Sequence, residues 1–88
     1  MSENNTLTPE QIARQYSATM DSVTVVNRLK DVKPLNQDNI DEIDRNVEHL
    51  KIMIAKDFWT VEDLTPFNTA IAKGTAAIEA AKNPEAAA

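Results

Sequence analysis

The sequence contains no cysteine, and it has only one glycine and four prolines. The absence of cysteine excludes a disulfide framework, a thiol nucleophile and a thiolate metal site. Because strands joined by tight turns need a supply of glycine and other turn residues, a single glycine disfavours a β-protein. The composition therefore favours helices whose connections are marked by proline.

The sequence also lacks the features of a secreted or membrane-spanning protein. Residues 1–6 provide no basic start, and no apolar run is long enough to cross a bilayer. We therefore expect a cytoplasmic protein without a membrane partner. The formal net charge is -5, from 14 acidic and 9 basic residues. Since nucleic-acid phosphates repel such a protein, we expect no generic nucleic-acid binding.

A chain of 88 residues has room for one hydrophobic core. At this length, folding buries only about 60–65% of the surface that the unfolded chain exposes, so association of subunits is an expected source of stability. We expect a single helical domain over residues 8–83. A disordered tail at 1–7 would precede it, and a frayed tail at 84–88 would follow it.

The first predicted helix covers about residues 9–30. Thr8 suits the N-cap, Pro9 suits the first helical position, and Gln11 completes a capping box. The β-branched residues 23–26 could end or kink this helix early. Apolar residues recur at spacings of four and three, as on one helix face: Ile12, Tyr16, Met20, Val23 and Val26.

The strongest pattern predicts a second helix over about residues 37–57, with Asn36 as its N-cap. Lys33 and Pro34 separate it from the first helix, because a residue before proline is disfavoured in helical geometry. Apolar residues at spacings of three and four form a heptad seam: Ile40, Ile43, Val47, Leu50 and Ile54.

A third helix is predicted over about residues 66–82, with Thr65 as N-cap and Pro66 at the first position. Its inward face consists of small residues, namely Ala70, Gly74, Ala77 and Ala81. Such a face lets a neighbouring backbone approach or leaves room for a large ring, for which Trp59 is the candidate. The short linkers predict an all-α fold, either a three-helix bundle or an antiparallel helical hairpin with an N-terminal helical arm.

No catalytic constellation is recognisable in the sequence. The single histidine, His49, falls beside the seam of the second helix, where a surface position is expected. The carboxylates Asp38, Asp41, Glu42 and Asp44 lack the spacing of a calcium loop and are interpreted as dipole and solubility charges. We therefore expect no catalytic residue, no metal and no cofactor.

Two groups of residues are candidate contacts. Apolar side chains that could lie at a protein interface are Ile52, Met53, Phe58 and Trp59. The alternatives are that both rings cap the hairpin core and that Ile52 is an isolated exposed residue. Residues that could contact an anion or nucleotide, across the subunits of an oligomer, are Tyr16, Arg14, Arg28 and Lys30. Here the alternative is a set of solvated charges near a helix C-terminus.

Three segments of the chain resemble small, uncharacterised helical proteins encoded by tailed bacteriophages. They are LKDVKP at 29–34, NVEHLK at 46–51 and FWTVEDLTPF at 58–67. The resemblance includes no functional motif, so it assigns no site residue. It implies one of two roles: a small virion component, such as a capsid or tail accessory subunit, or an early protein that blocks or sequesters a host factor.

We therefore expect a non-enzymatic helical protein that works by self-association or contact with another protein, as a small structural or accessory subunit of a phage particle. It would lie in the host-cell cytoplasm or in the virion. The alternative is an early inhibitor, which would act as a nucleic-acid mimic through the acidic second helix or as a nucleotide sponge through Tyr16 and Arg28. A third alternative is an enzyme subunit without activity of its own.

Overall fold

The computed structural model describes residues 7–82, which form three α-helices. These are α1 (Pro9–Leu29), α2 (Gln37–Ile54) and α3 (Thr65–Lys82). This part of the chain contains no strand, and each helix contacts both others. The fold is thus the all-α three-helix bundle, one of the two predicted arrangements. The frayed tail predicted at 84–88 and residues 1–6 of the predicted N-terminal tail lie outside the described residues.

The start of α1 is the predicted capping box. The Thr8 hydroxyl accepts the Gln11 backbone N–H at 3.1 Å, and the Gln11 side chain accepts the Thr8 N–H at 2.9 Å. The helix continues unbroken through residues 23–26 and ends at Leu29. Val23 and Val26 are buried within it. Burial of a valine contributes about 1.5 kcal/mol or more, which outweighs a helix-propensity cost below about 0.7 kcal/mol.

The start of α2 is also capped as predicted, by Asn36. Its side chain accepts the Asn39 N–H at 2.8 Å, and the Asn39 side chain accepts the Asn36 N–H at 3.2 Å. The predicted seam faces inward: Ile43, Val47 and Leu50 are buried, whereas Ile40 and Ile54 are half-buried. The helix ends at Ile54, three residues before the predicted boundary.

The third helix begins at Thr65, so the prediction that Thr65 is its N-cap is wrong. Oδ1 of Asp63 accepts the Thr65 N–H at 3.0 Å, and the Leu64 carbonyl accepts the N–H groups of Phe67 and Asn68. Pro66 lies in the first turn, where its missing N–H removes no helical hydrogen bond. Asp63 therefore supplies the side-chain cap that was expected from Thr65.

All three helices meet at Gly74. A Cβ atom at this position would lie 2.6 Å from Cγ2 of Val47, 3.1 Å from Cγ1 of Val26 and 3.2 Å from Cγ2 of Ile43. The first distance is too short for a side-chain carbon, so the contact depends on glycine. The small-residue face of α3 thus serves close helix packing. At Gly74, branched aliphatic side chains of α1 and α2 occupy the room that the small-residue face leaves, whereas the alternative considered for this face was a large ring such as Trp59.

Candidate protein-contact surface

The chain has one tyrosine, one tryptophan and two phenylalanines, and all of them cluster at one end of the bundle. The ring centroids of Tyr16 and Phe67 are 4.8 Å apart, and those of Phe58 and Trp59 are 4.7 Å apart. Tyr16 and Trp59 meet edge to face at 6.1 Å, a favourable aromatic geometry. Phe67 is fully buried, and the other rings are half-buried. We call Tyr16, Phe58, Trp59 and Phe67 the aromatic end.

Hydrogen bonds from two aromatic side chains hold the connection between α2 and α3, residues 55–64, against α2 and α1. The Trp59 indole N–H donates to the Met53 carbonyl at 2.8 Å. The Tyr16 hydroxyl donates to the Asp63 carbonyl at 2.7 Å. Each bond is expected to contribute about 1 kcal/mol. The connection is therefore held to α2 at its start and to α1 near its end.

The same connection presents Val61, whose exposure is 90%. The turn around it is fixed, because Thr60 donates to Oε1 of Glu62 from its N–H at 2.8 Å and from its hydroxyl at 3.4 Å. A partner that covers Val61 would therefore meet a side chain whose backbone is already ordered, which lowers the entropy cost of binding. Val61 is not among the interface residues predicted from the sequence. The sequence feature that could have revealed it is an aliphatic residue between two polar ones, Thr60 and Glu62, in a connection between helices.

The carboxylates beside Val61 are stabilised in their charged form. Hydrogen bonds lower the pKa of Glu62 below its ordinary value, and the chief donor is the backbone N–H of Thr60. The pKa of Asp63 is lowered by Thr65, first by its side chain and then by its backbone N–H. Because hydrogen bonds to a carboxylate favour ionisation, both groups remain negative at neutral pH.

A second exposed apolar side chain, Ile52, lies near the end of α2, and 58% of its surface is accessible. Exposed charged side chains precede it along this side of the helix, at successive spacings of four and three residues. We call this stripe the outer face of α2: Asp38, Asp41, Arg45, Glu48 and Ile52. A branched aliphatic residue within a charged stripe is the feature of this helix that packing inside the bundle does not explain.

Met53 does not belong to this surface, so its prediction as an interface residue is wrong. Only 7% of Met53 is exposed, since one residue along a helix turns the side chain by about 100° from Ile52 toward the core. Trp59 packs against the core as a partly buried residue, which is the alternative considered for the rings. Phe58 and Trp59 remain accessible on one side.

The structure does not bring the predicted anion contact together. The Tyr16 hydroxyl is bonded to the Asp63 carbonyl. Arg14 and Lys30 each pair with a carboxylate at the surface, at 3.5 and 2.8 Å. Arg28 is twelve residues beyond Tyr16 on an unbroken helix, a separation of about 18 Å at 1.5 Å per residue. Within one chain, these four side chains therefore cannot surround a single phosphate; a contact shared between subunits stays a prediction.

The remaining candidate ligands and catalysts are the histidine and the carboxylates. His49 is exposed. Within residues 7–82, no group of three or more histidine and carboxylate side chains has the arrangement needed to hold a metal ion. Over the same range, none of the helices combines the length and apolar character needed to span a bilayer. Comparison with protein-family models, with curated proteins and with solved structures finds no match.

Proposed function

We propose that this chain is a non-enzymatic assembly subunit that acts by self-association and by contact with other proteins, as a small structural or accessory component of a phage particle. The observation that carries the proposal is the 58% exposure of Ile52 on an otherwise charged helix face. Full burial of an isoleucine contributes about 1.5–3 kcal/mol, so covering Ile52 favours association. The phage setting depends on the resemblance of residues 29–34, 46–51 and 58–67 to phage proteins.

Val61 supports the same proposal. Because α2 ends at Ile54 and the connection follows directly, Ile52 and Val61 lie at the same end of the bundle. Contact residues that dominate binding tend to be few and clustered. Two exposed aliphatic side chains beside the half-buried rings Phe58 and Trp59 fit such a surface.

The exposed carboxylates of α2 favour a second candidate, the early inhibitor. Asp38, Asp41, Asp44 and Glu48 are all exposed on one helix, as a mimic of a phosphate backbone requires. The nucleotide-sponge form of this alternative has less support, because Tyr16 and Arg28 are far apart. Capture of a host nucleic-acid enzyme by the wild type, and its loss in Asp41→Asn/Asp44→Asn, would favour the inhibitor.

The assembly proposal is tested by the solution mass over a concentration series. Light scattering should give a mass that rises with concentration for the wild type and stays monomeric for Ile52→Glu. Thr75→Glu is the matched control, because it introduces the same charge at an exposed position of α3. This variant should associate like the wild type.

The phage assignment needs a separate measurement. Mass spectrometry of purified particles should detect the chain at a fixed ratio to a major virion protein. A wild-type protein that is monomeric at every concentration and missing from particles would overturn the assembly proposal.

A further inference from the structure

The exposed charges of α2 are distributed unevenly along the helix. Before Arg45, the exposed charged side chains are all carboxylates, whereas from Arg45 onward cations outnumber carboxylates. The exposed carboxylates of the first part are Asp38, Asp41 and Asp44, and the exposed cations of the second part and the residues just after it are Arg45, Lys51 and Lys56. This polarity suits the helix dipole. It also makes the helix surface complementary to a copy of itself that runs in the opposite direction.

We propose that two copies of this chain associate through the outer face of α2, with the two α2 helices antiparallel about a two-fold axis that passes between Arg45 and Glu48. The proposal rests on the proposed function, because it specifies where self-association takes place. A two-fold axis is the usual symmetry of a homodimer, and it makes every contact occur twice.

The charges near the axis are opposite in sign. Arg45 and Glu48 are equally distant from the axis, so each Arg45 faces Glu48 of the second copy. Asp44 and Lys51 lie on one flank of the stripe, and the two-fold axis places each Asp44 beside Lys51 of the second copy. A parallel arrangement would instead place like charges opposite each other, which costs several kcal/mol in other interfaces. Charge complementarity therefore selects the antiparallel pair.

These side chains are available for the contact. Within residues 7–82, neither Arg45 nor Asp44 forms an ion pair. Glu48 pairs with Lys51 of its own helix at 3.3 Å, with side-chain exposures of 58% and 51%. A surface pair of this kind contributes about 0–1 kcal/mol, so its rearrangement costs little. All four side chains can take part without disturbing the bundle.

Ile52 supplies the apolar part of the contact. It lies one turn beyond Glu48, so the two-fold axis places it level with Asp41 of the second copy, where its side chain also reaches the aliphatic carbons of the neighbouring Arg45. An 18-residue helix is about 27 Å long, and one pair of such helices lies at the small end of specific interfaces, below about 800 Å² per partner. We therefore expect a weak dimer whose affinity falls as salt screens the charges.

Charge reversal tests this interface. Arg45→Glu and Glu48→Arg should each weaken the wild-type dimer at least tenfold, because each removes two facing pairs and creates two repulsive ones. The double variant Arg45→Glu/Glu48→Arg should restore the affinity to within about threefold, since the facing charges are again opposite. Sedimentation velocity at about 0.05 M and about 0.5 M salt provides the readout. Arg14→Glu, at an exposed position on α1, is the matched control and should leave the dimer unchanged.

Each outcome has one interpretation. Loss of the dimer in both single variants with recovery in the double variant supports the antiparallel pair. A wild-type oligomer that all three variants leave intact overturns this interface but leaves the proposed function in place, with the contact elsewhere, as at Val61. A wild-type protein that is monomeric throughout overturns both the interface and self-association. Circular dichroism of each variant establishes that the helices are retained.

Discussion

The aromatic end and the contact around Gly74 are held together by different means. At the aromatic end, large half-exposed rings are fixed by hydrogen bonds from Tyr16 and Trp59 to backbone carbonyls. At Gly74, buried aliphatic groups of Val26, Ile43 and Val47 approach α3 at distances that leave no room for a methyl group. Hydrogen bonds can hold side chains in place while part of their surface stays accessible to a partner. Close packing of aliphatic groups requires that they be buried. The contact around Gly74 therefore stabilises the fold, and the aromatic end is suited to contact with another protein.

The largest effect is expected where the two regions join, at Phe67. This ring belongs to the aromatic end, and none of its surface is exposed. Phe67→Ala should reduce the free energy of unfolding by about 3–5 kcal/mol, through lost burial and the cavity that remains. Urea unfolding followed by circular dichroism measures this loss. Thr69→Ala, at an exposed position of the same helix, should change stability by less than about 0.5 kcal/mol. A similar small loss for Phe67→Ala would contradict the packing described.

Gly74→Ala tests the close contact directly. Overpacking against Val47 is expected to cost about 1–3 kcal/mol, and the better helix propensity of alanine returns up to about 1 kcal/mol. The net result should be destabilisation of about 1 kcal/mol in thermal or urea unfolding. Thr75→Ala, at the exposed neighbouring position, should be neutral or slightly stabilising. Stabilisation by Gly74→Ala would mean that the helices do not approach as closely as described.

The hydrogen bonds of the aromatic end should have smaller effects. Tyr16→Phe keeps the ring and removes the donor to the Asp63 carbonyl, so it should cost about 0.5–1.5 kcal/mol. Amide hydrogen exchange should accelerate in residues 55–64 and remain unchanged around Gly74. If exchange accelerated equally in both regions, the aromatic end would not be a separately held unit.

The smallest effect is expected from acidification. Glu62 and Asp63 have pKa values lowered from 4.5 and 3.8. A carboxyl group with a lowered pKa stabilises the folded state above its ordinary pKa, and this contribution is lost as the pH falls through the lowered value. The order of the connection should therefore decrease below about pH 4.5, seen as lower protection of the Thr60 and Thr65 amides relative to the intrinsic exchange rate at each pH. In Glu62→Gln/Asp63→Asn this pH dependence should disappear.

Much of the fold could be predicted because its signals are local. Thr8 and Asn36 cap helices through residues three positions away, and the seam from Ile40 to Ile54 depends only on helical spacing. The start of α3 was placed wrongly because Asp63 and Thr65 are both suitable caps, and the choice between them depends on how the connection folds.

The candidate surface was harder to predict than the fold. Ile52 followed from periodicity, whereas its neighbour Met53 was assigned to the same surface although one helical step turns it inward. Val61 has no periodic pattern to reveal it. The predicted anion contact does not form within one chain, because a sequence gives positions along a helix but not the long-range bond that joins Tyr16 to Asp63. Between subunits it stays a prediction.

The central claim is that this molecule makes its contacts through the outer face of α2 and the end of the bundle that follows it. A titration of ¹⁵N-labelled protein, with amide spectra recorded from dilute to concentrated solution, locates such contacts residue by residue. Shifts and line broadening should centre on Arg45, Glu48 and Ile52, extend to Val61, and leave the exposed side of α1 around Arg14 unchanged. Spectra that do not change with concentration, or changes centred on α1, would contradict the account.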